Sequence, residues 1–502
     1  TVFFYARLWR RSKVLTDLEF YELRYSGKPA RFLRAFRAIY LGVFFNVMIM
    51  ATVCLAGIKI GGVLLGLSPF ECVFYSSLIT VFYSSLGGLR SVVITDLIQF
   101  VLAMVGSIWA CVYILNLDEV GGLTNLINHS MVADKLNFFP SINDKETFLT
   151  LLIIPLAVQW WAVWYPGAEP GGGGYIAQRM LSAKDEKDAI YSTLLFNITH
   201  YVVRPWPWIL IALSSIVVYP TLSDISSSFP GIDKSIIGND IAYPAMLYLL
   251  PSGLLGLVLA SLIAAFMSTI SSHLNWGASY ISLDFYKRFI KKDATEKEIV
   301  FVGRLSTVLL MFLAGFLALE LSDALGAFQI LLQIGAGTGS IFLMRWFWWR
   351  VNAYSEITGM AVSFLLAIYF QWFHFDITGY ELLSYQKLFI SILITTSSWI
   401  IVTLLTSPSE NKVLLEFYYK IKPYGVGWNG FLKKNNLVKF KNNESPMKDL
   451  LLMFLGIITV YFGLFGTGYL IYNELFLGFF MITISFSSAY LTNYIMQKPQ
   501  LD

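Results

Sequence analysis
The chain has 502 residues, of which 56% are apolar and 14% charged, with a formal net charge of +4. Soluble domains keep about 25% charged residues, so this composition excludes an ordinary soluble enzyme or binding module and points to a polytopic protein partnered by the lipid bilayer. The net charge of +4 is small, and nothing in the sequence suggests nucleic acid as a partner.

In chain order, Thr1-Val2-Phe3-Phe4-Tyr5-Ala6 is a short apolar stub running into Arg7, Arg10, Arg11 and Lys13. It reads as the tail of a span that begins upstream, so a sequence truncated at its N-terminus is expected. Between Thr16 and Arg37, the residues Tyr21, Leu23, Tyr25, Phe32, Leu33 and Phe36 alternate with cations. Interfacial helices on the inner leaflet and a snorkelling basic loop fit that pattern equally well. Apolar stretches of about 20 residues, enough to cross roughly 30 Å of hydrocarbon, then recur. Twelve candidate spans lie near 38 to 66, 69 to 87, 92 to 116, 148 to 168, 190 to 220, 252 to 281, 299 to 321, 324 to 349, 354 to 374, 384 to 406, 449 to 470 and 474 to 494.

Lys and Arg gather in alternate loops, at 7 to 37, Arg90, 179 to 187, 287 to 297, 345 to 350 and 411 to 448, which predicts that these loops and the C-terminus are cytoplasmic. The loops 117 to 147 and 221 to 240 are acidic and suit the outer side, so the location expected is the cytoplasmic (inner) membrane. Cys54, Cys72 and Cys111 fall inside spans without metal-type spacing and read as packing residues. The run Gly171 to Gly174 lacks a following Lys-Ser or Lys-Thr, and no Gly-x-Ser-x-Gly elbow occurs. An ATP-driven pump and a membrane enzyme are therefore not expected.

The polar residues that remain lie within spans. In 252 to 281, Ser268, Ser272, Asn275 and Ser279 recur at three and four residues and share one helical stripe, with Ala264 and Ala265 leaving room for close approach. Neutral oxygens suit a hard monovalent cation such as sodium. Back-bonding of Ser and Thr to carbonyls one turn earlier explains the same residues without an ion. Asp96 is costly near a span and reads either as a cation ligand or as a helix N-cap.

These residues resemble a known family. Ala265-Phe266-Met267-Ser268-Thr269, then Ser271-Ser272, Leu283-Asp284-Phe285-Tyr286-Lys287 and Val302-Gly303-Arg304, resemble the eighth core helix of the sodium/solute symporter family. Gly87 to Gln99 is similar to that family's entry into its fifth core helix, Gln178 to Lys184 is a third match, and Phe347 to Asn352 resembles the end of its tenth. The resemblance implies an all-α polytopic membrane protein with an inverted five-plus-five helix repeat and extra C-terminal helices. It divides the chain into 1–37 (a truncated span and an interfacial segment), 38–349 (core helices three to ten), 350–406 (additional helices), 407–447 (a cytoplasmic loop) and 448–502 (C-terminal helices).

The same resemblance implies Na+ as coupling ion, held in a main site by the Ala265 carbonyl and the Ser268 and Thr269 hydroxyls. Its other ligands come from the first core helix, for which no counterpart is read in this sequence. Asp96, Ser271 and Ser272 match a second sodium site found in some members. For the solute, the resemblance points to His200, with Arg204 a turn further on, to Gln329 or Gln333, and to Tyr165 or Trp164 as an aromatic gate. Trp206 and Trp208 leave an ordinary buried pair or cation-π packing open for His200 and Arg204. Pro166, Gly167, Pro170 and the following glycines should break the helix beside these aromatics. Sodium-coupled symport of a small organic solute, a sugar or sugar acid first, is the expected function. A solute-sensing receptor on the same scaffold, or a symporter for amino acids or other organic acids, are the alternatives.

Overall fold
Within a bilayer a helix satisfies every backbone group internally, and the computed structural model is helical throughout its regular structure. It describes every residue except 87–88, 158–168, 233–236, 322–334, 336, 439, 441–444 and 498–502, and every described side chain except those of 83, 85–86, 89–92 and 155. In chain order the main elements are α1 (Ala6–Ser12), α2 (Glu19–Arg24), α3 (Gly27–Leu65), α4 (Pro69–Leu86), α5 (Leu89–Leu115), α6 (Gly174–Ser182), α7 (Glu186–Val218) and α8 (Ser252–Ile290). They continue as α9 (Glu296–Glu320), α10 (Gly339–Phe347), α11 (Ala353–Thr378), α12 (Ser384–Leu405), α13 (Asn411–Ile421), α14 (Pro446–Ile471) and α15 (Leu475–Gln497).

Among the described residues nine helices are long and apolar enough to span a membrane, and α4 carries a shorter apolar stretch, Pro69–Phe82. Two expected spans, 148 to 168 and 324 to 349, fall partly outside the described residues. Helix starts follow capping chemistry. Asp185 accepts the Asp188 amide at 2.8 Å at the head of α7, and Thr295 with Glu298 forms a capping box on α9. In α7 a π-type turn at Thr199–Val203 precedes Pro205 and Pro207, whose missing N–H groups interrupt the helical ladder.

The central core is shared by α3, α8 and α9 through Met50, Cys54, Ile270, Leu274, Leu310 and Ala314. Gly277 sits where these helices cross: a Cβ there would lie 2.7 Å from the Gly42 carbonyl and 2.8 Å from Leu310, so no larger residue fits without movement. α14 and α15 pair as a hairpin, held by Ser485 and Ser488 hydroxyls donating to the Thr459 and Leu455 carbonyls at 2.6 and 2.7 Å.

Residues 16 to 37 depart from the surface reading given by their alternating pattern. They form α2 and the first turns of α3, with Tyr21, Tyr25, Leu33, Arg24, Arg34 and Arg37 buried in protein and Phe32 and Phe36 facing outward. The arginines go inside because each finds a partner. Arg34 pairs with Asp284 at 2.6 Å and Glu22 at 2.6 Å, Arg37 pairs with Glu169, and Arg24 donates to the Arg345, Trp348 and Trp349 carbonyls at the end of α10.

Candidate functional site
The polar stripe on α8 forms because residues three and four apart share a helical face. Some of its hydroxyls return to their own backbone: Thr269 donates to the Ala265 carbonyl at 3.0 Å, Ser271 to the Ser268 carbonyl at 3.1 Å and Ser279 to the Trp276 carbonyl at 2.7 Å. Others cross to neighbouring elements. Ser268 donates to Asp96 Oδ1 on α5 at 2.5 Å, and Ser272 accepts from Arg179 on α6 at 2.8 Å. Asn275 accepts from Gln178 at 3.4 Å, so three successive stripe positions reach polar partners across helix boundaries.

Asp96 is the charge at the centre of this cluster. α5 begins at Leu89, seven positions earlier, so Asp96 lies inside the helix and does not cap its N-terminus. Its second oxygen faces Arg179 Nη2 at 3.3 Å, and both side chains are partly exposed, at 27% and 30%. Arg179 Nη1 also donates to its neighbour Gln178 at 3.1 Å. One turn below, His273 and Asn46 form a buried pair joining α8 to α3: the ring nitrogen lies 2.7 Å from Asn46 Oδ1, and Asn46 Nδ2 donates to the His273 carbonyl at 2.8 Å.

Of the residues matched to the main sodium site, the Ala265 carbonyl and the Thr269 hydroxyl are adjacent on an exposed face of α8, with half-buried Ser268 beside them. Ser271, matched to the second site, is buried and its hydroxyl is directed at its own helix, whereas Ser272 and Asp96 are both contacted by Arg179. Arg179, Gln178, His273 and Asn46 were not among the expected site residues. Gln178-Arg179 was visible as a motif, but nothing local in it names partners so far away in sequence.

On the solute side, His200 lies in the widened turn of α7, stacked on Phe196 at 5.0 Å and edge-on to Tyr201 at 4.7 Å. Arg204 is exposed and its guanidinium sits 5.8 Å over the Trp208 ring, so the cation-π contact forms. Trp206 instead packs against Phe138 and Tyr472. Trp164, Tyr165, Gln329 and Gln333 lie outside the described residues. Pro166 and Gly167 also lie outside them; after Pro170, Gly171 and Gly172 take φ of +83° and +94°, open to glycine, and α6 begins at Gly174, whose amide donates to Asp17 at 2.9 Å.

A multi-span helical protein that gathers a carboxylate, a guanidinium and a row of hydroxyls between its helices has the makings of an ion-coupled carrier. Comparison with known proteins agrees: the sodium:solute symporter family matches residues 1–363, and the chain belongs to that family, one of transporters and not of enzymes. It is 26% identical over 398 residues to a sodium/glucose cotransporter of Vibrio parahaemolyticus, covering 77% of this chain and 72% of that protein. It is 25% identical over 402 residues to sodium/glucose cotransporter 1 of Oryctolagus cuniculus, covering 72% of this chain and 58% of the relative's length. A sodium/myo-inositol cotransporter of Mus musculus is 26% identical over 316 residues, covering 58% of this chain and 46% of that one. The solved structure of a Na+-coupled sialic acid symporter, substrate-bound and outward-open, superposes with a TM-score of 0.63 at 21% identity over 82% of this chain and 81% of its own. The two share a fold.

Proposed function
We propose that the protein couples sodium entry to uptake of a small organic solute, a sugar or sugar acid, by alternating access across the cytoplasmic membrane. The observation that carries this reading is the turn from Ala265 to Thr269, where a carbonyl and a hydroxyl 3.0 Å apart stand beside Ser268 on an exposed face of a spanning helix. Neutral oxygens so grouped suit a singly charged hard ion, and the family supplies the precedent. Sodium moving down 100 mV releases about 2.3 kcal/mol per charge, enough with its concentration gradient to accumulate a neutral solute. The relatives are named for glucose, myo-inositol and sialic acid, all polyhydroxylated, which supports the solute class. His200, Arg204, Trp164, Tyr165, Gln329 and Gln333 are the candidate solute contacts, and the arginine-rich end of the bundle faces the cytoplasm by the positive-inside rule.

The test is uptake into vesicles holding the full-length gene product, with an inward sodium gradient and a labelled panel of sugars, sugar acids, amino acids and other organic acids. Sodium-dependent accumulation of a sugar or sugar acid is expected. Thr269→Ala should raise the half-saturating sodium concentration about tenfold, the effect of losing one oxygen on a charged partner. Solutes that bind but never accumulate with sodium would make this a sensor on a transporter scaffold.

A further inference from the structure
The second sodium position implied by Asp96, Ser271 and Ser272 has a different occupant in this fold. Asp96 Oδ1 receives the Ser268 hydroxyl at 2.5 Å, and Oδ2 faces Arg179 Nη2 at 3.3 Å. The same Nη2 donates to Ser272 at 2.8 Å, so one guanidinium nitrogen bridges the carboxylate and the hydroxyl that a second ion would have to share. The remaining hydroxyl of that set, on Ser271, is buried and donates to its own helix. Gln178, which accepts from Arg179 Nη1 at 3.1 Å and donates to Asn275 at 3.4 Å, fixes the arginine against the next position of the α8 stripe.

Resting on the symport reading above, we propose that Arg179 is a built-in cation for Asp96: its guanidinium stands in for a second sodium, and the protein binds one sodium per cycle. A carboxylate in a membrane helix needs a compensating positive charge, and a tethered one is always present while a diffusible ion must be recruited. With Asp96 at −1 and Arg179 at +1 the local charge is balanced, which removes the attraction that would draw in another cation. Arginine suits this position because it stays protonated and offers several donors in one plane, so it can hold the carboxylate and Ser272 together. Replacing it with a neutral side chain would leave Asp96, Ser268 and Ser272 as an uncompensated oxygen cluster beside the main site. Such a cluster has the composition of a sodium site.

The experiment counts bound sodium by equilibrium binding of radioactive 22Na+ to the purified full-length protein, for wild type, Arg179→Gln, and Arg179→Gln combined with Asp96→Asn. One ion in wild type, two in Arg179→Gln with a Hill coefficient rising above one, and one again in the double variant is the expected result. Two ions in wild type overturns the proposal without needing any variant to fold. One ion in both wild type and a normally melting Arg179→Gln also overturns it. If wild type binds no sodium, the symport reading itself fails and this inference falls with it, an outcome distinct from the other two.

Discussion
Ser268 and Ser272 are the α8 serines whose hydroxyl bonds leave their own helix, while Ser261, Thr269, Ser271 and Ser279 return to carbonyls three or four residues back. The distinction separates residues that look alike in sequence. A back-bonded hydroxyl that is also buried, as on Ser271 and Ser261, adds little, because the carbonyl it meets already accepts the helical N–H and no ion can reach its oxygen; Thr269 stands on an exposed face, where its oxygen can still meet one. Ser271→Ala should therefore change sodium affinity less than about twofold. Ser268→Ala removes a charge-assisted bond to Asp96, worth about 1.5–3 kcal/mol, together with a proposed ion ligand, and should weaken sodium activation at least about tenfold. The sodium dependence of uptake measures both, and equal losses in the two variants would sink the distinction. The stripe was legible from its three-and-four spacing, but which of its members face a partner was not. Arg179 lies 83 residues from Asp96 and 93 from Ser272, and a local pattern cannot report a pairing made by three separate helices.

At the scale of elements, the spans were readable because a long apolar run has few alternatives in a bilayer, whereas residues 16 to 37 were not. Their alternation of aromatics and cations looks the same whether the cations meet water or buried carboxylates. Asp17, just before α2, shows the consequence: it accepts the Gly174 amide at the head of α6 and the Tyr280 hydroxyl of α8, and it is buried. Burial, reinforced by the nearby Glu169 carboxylate and opposed by the Tyr280 and Gly174 hydrogen bonds, pushes its pKa from 3.8 up to about 6. The folded protein then holds that proton more tightly than the unfolded chain. The stabilisation this gives is complete below about pH 4 and is lost as pH rises through about 6. Thermal unfolding in detergent between pH 4 and 7 should show wild type losing up to about 3 kcal/mol that Asp17→Asn, isosteric and unable to titrate, does not lose. Parallel curves for the two proteins would mean that Asp17 titrates as an exposed carboxylate does.

Across the whole molecule, the two ends are fastened differently. At the arginine-rich end Arg37 and Glu169 pair at 4% and 3% side-chain exposure, tying α3 to the glycine-rich turn before α6. Arg34–Asp284 ties α3 to α8, and Arg345–Glu356, at 3.6 Å, ties α10 to α11. At the opposite end Lys59 on α3 meets Asp240 at 2.7 Å; the Lys59 side chain is 5% exposed, but that of Asp240 is 48% exposed, so one side of the pair is open to solvent. On the alternating-access reading proposed above, a carrier wets one end while the other stays shut, and the dry pairs would fasten the shut end. Removing one partner of a dry pair strands a charge, at a cost of about 3–5 kcal/mol, whereas removing both leaves only a packing defect. Arg37→Met and Glu169→Gln should thus each lower the melting temperature sharply, and the double variant should recover much of the loss. Asp240→Asn strands the buried Lys59 ammonium but should cost less than either single variant, because one side of that pair is open to solvent. The same cycle read by the reactivity of a cysteine introduced beside Gly171 should show each single variant admitting reagent from the arginine-rich end and the double variant admitting less. If the single losses simply add, Arg37 and Glu169 act independently, and the pair is not what holds that end shut.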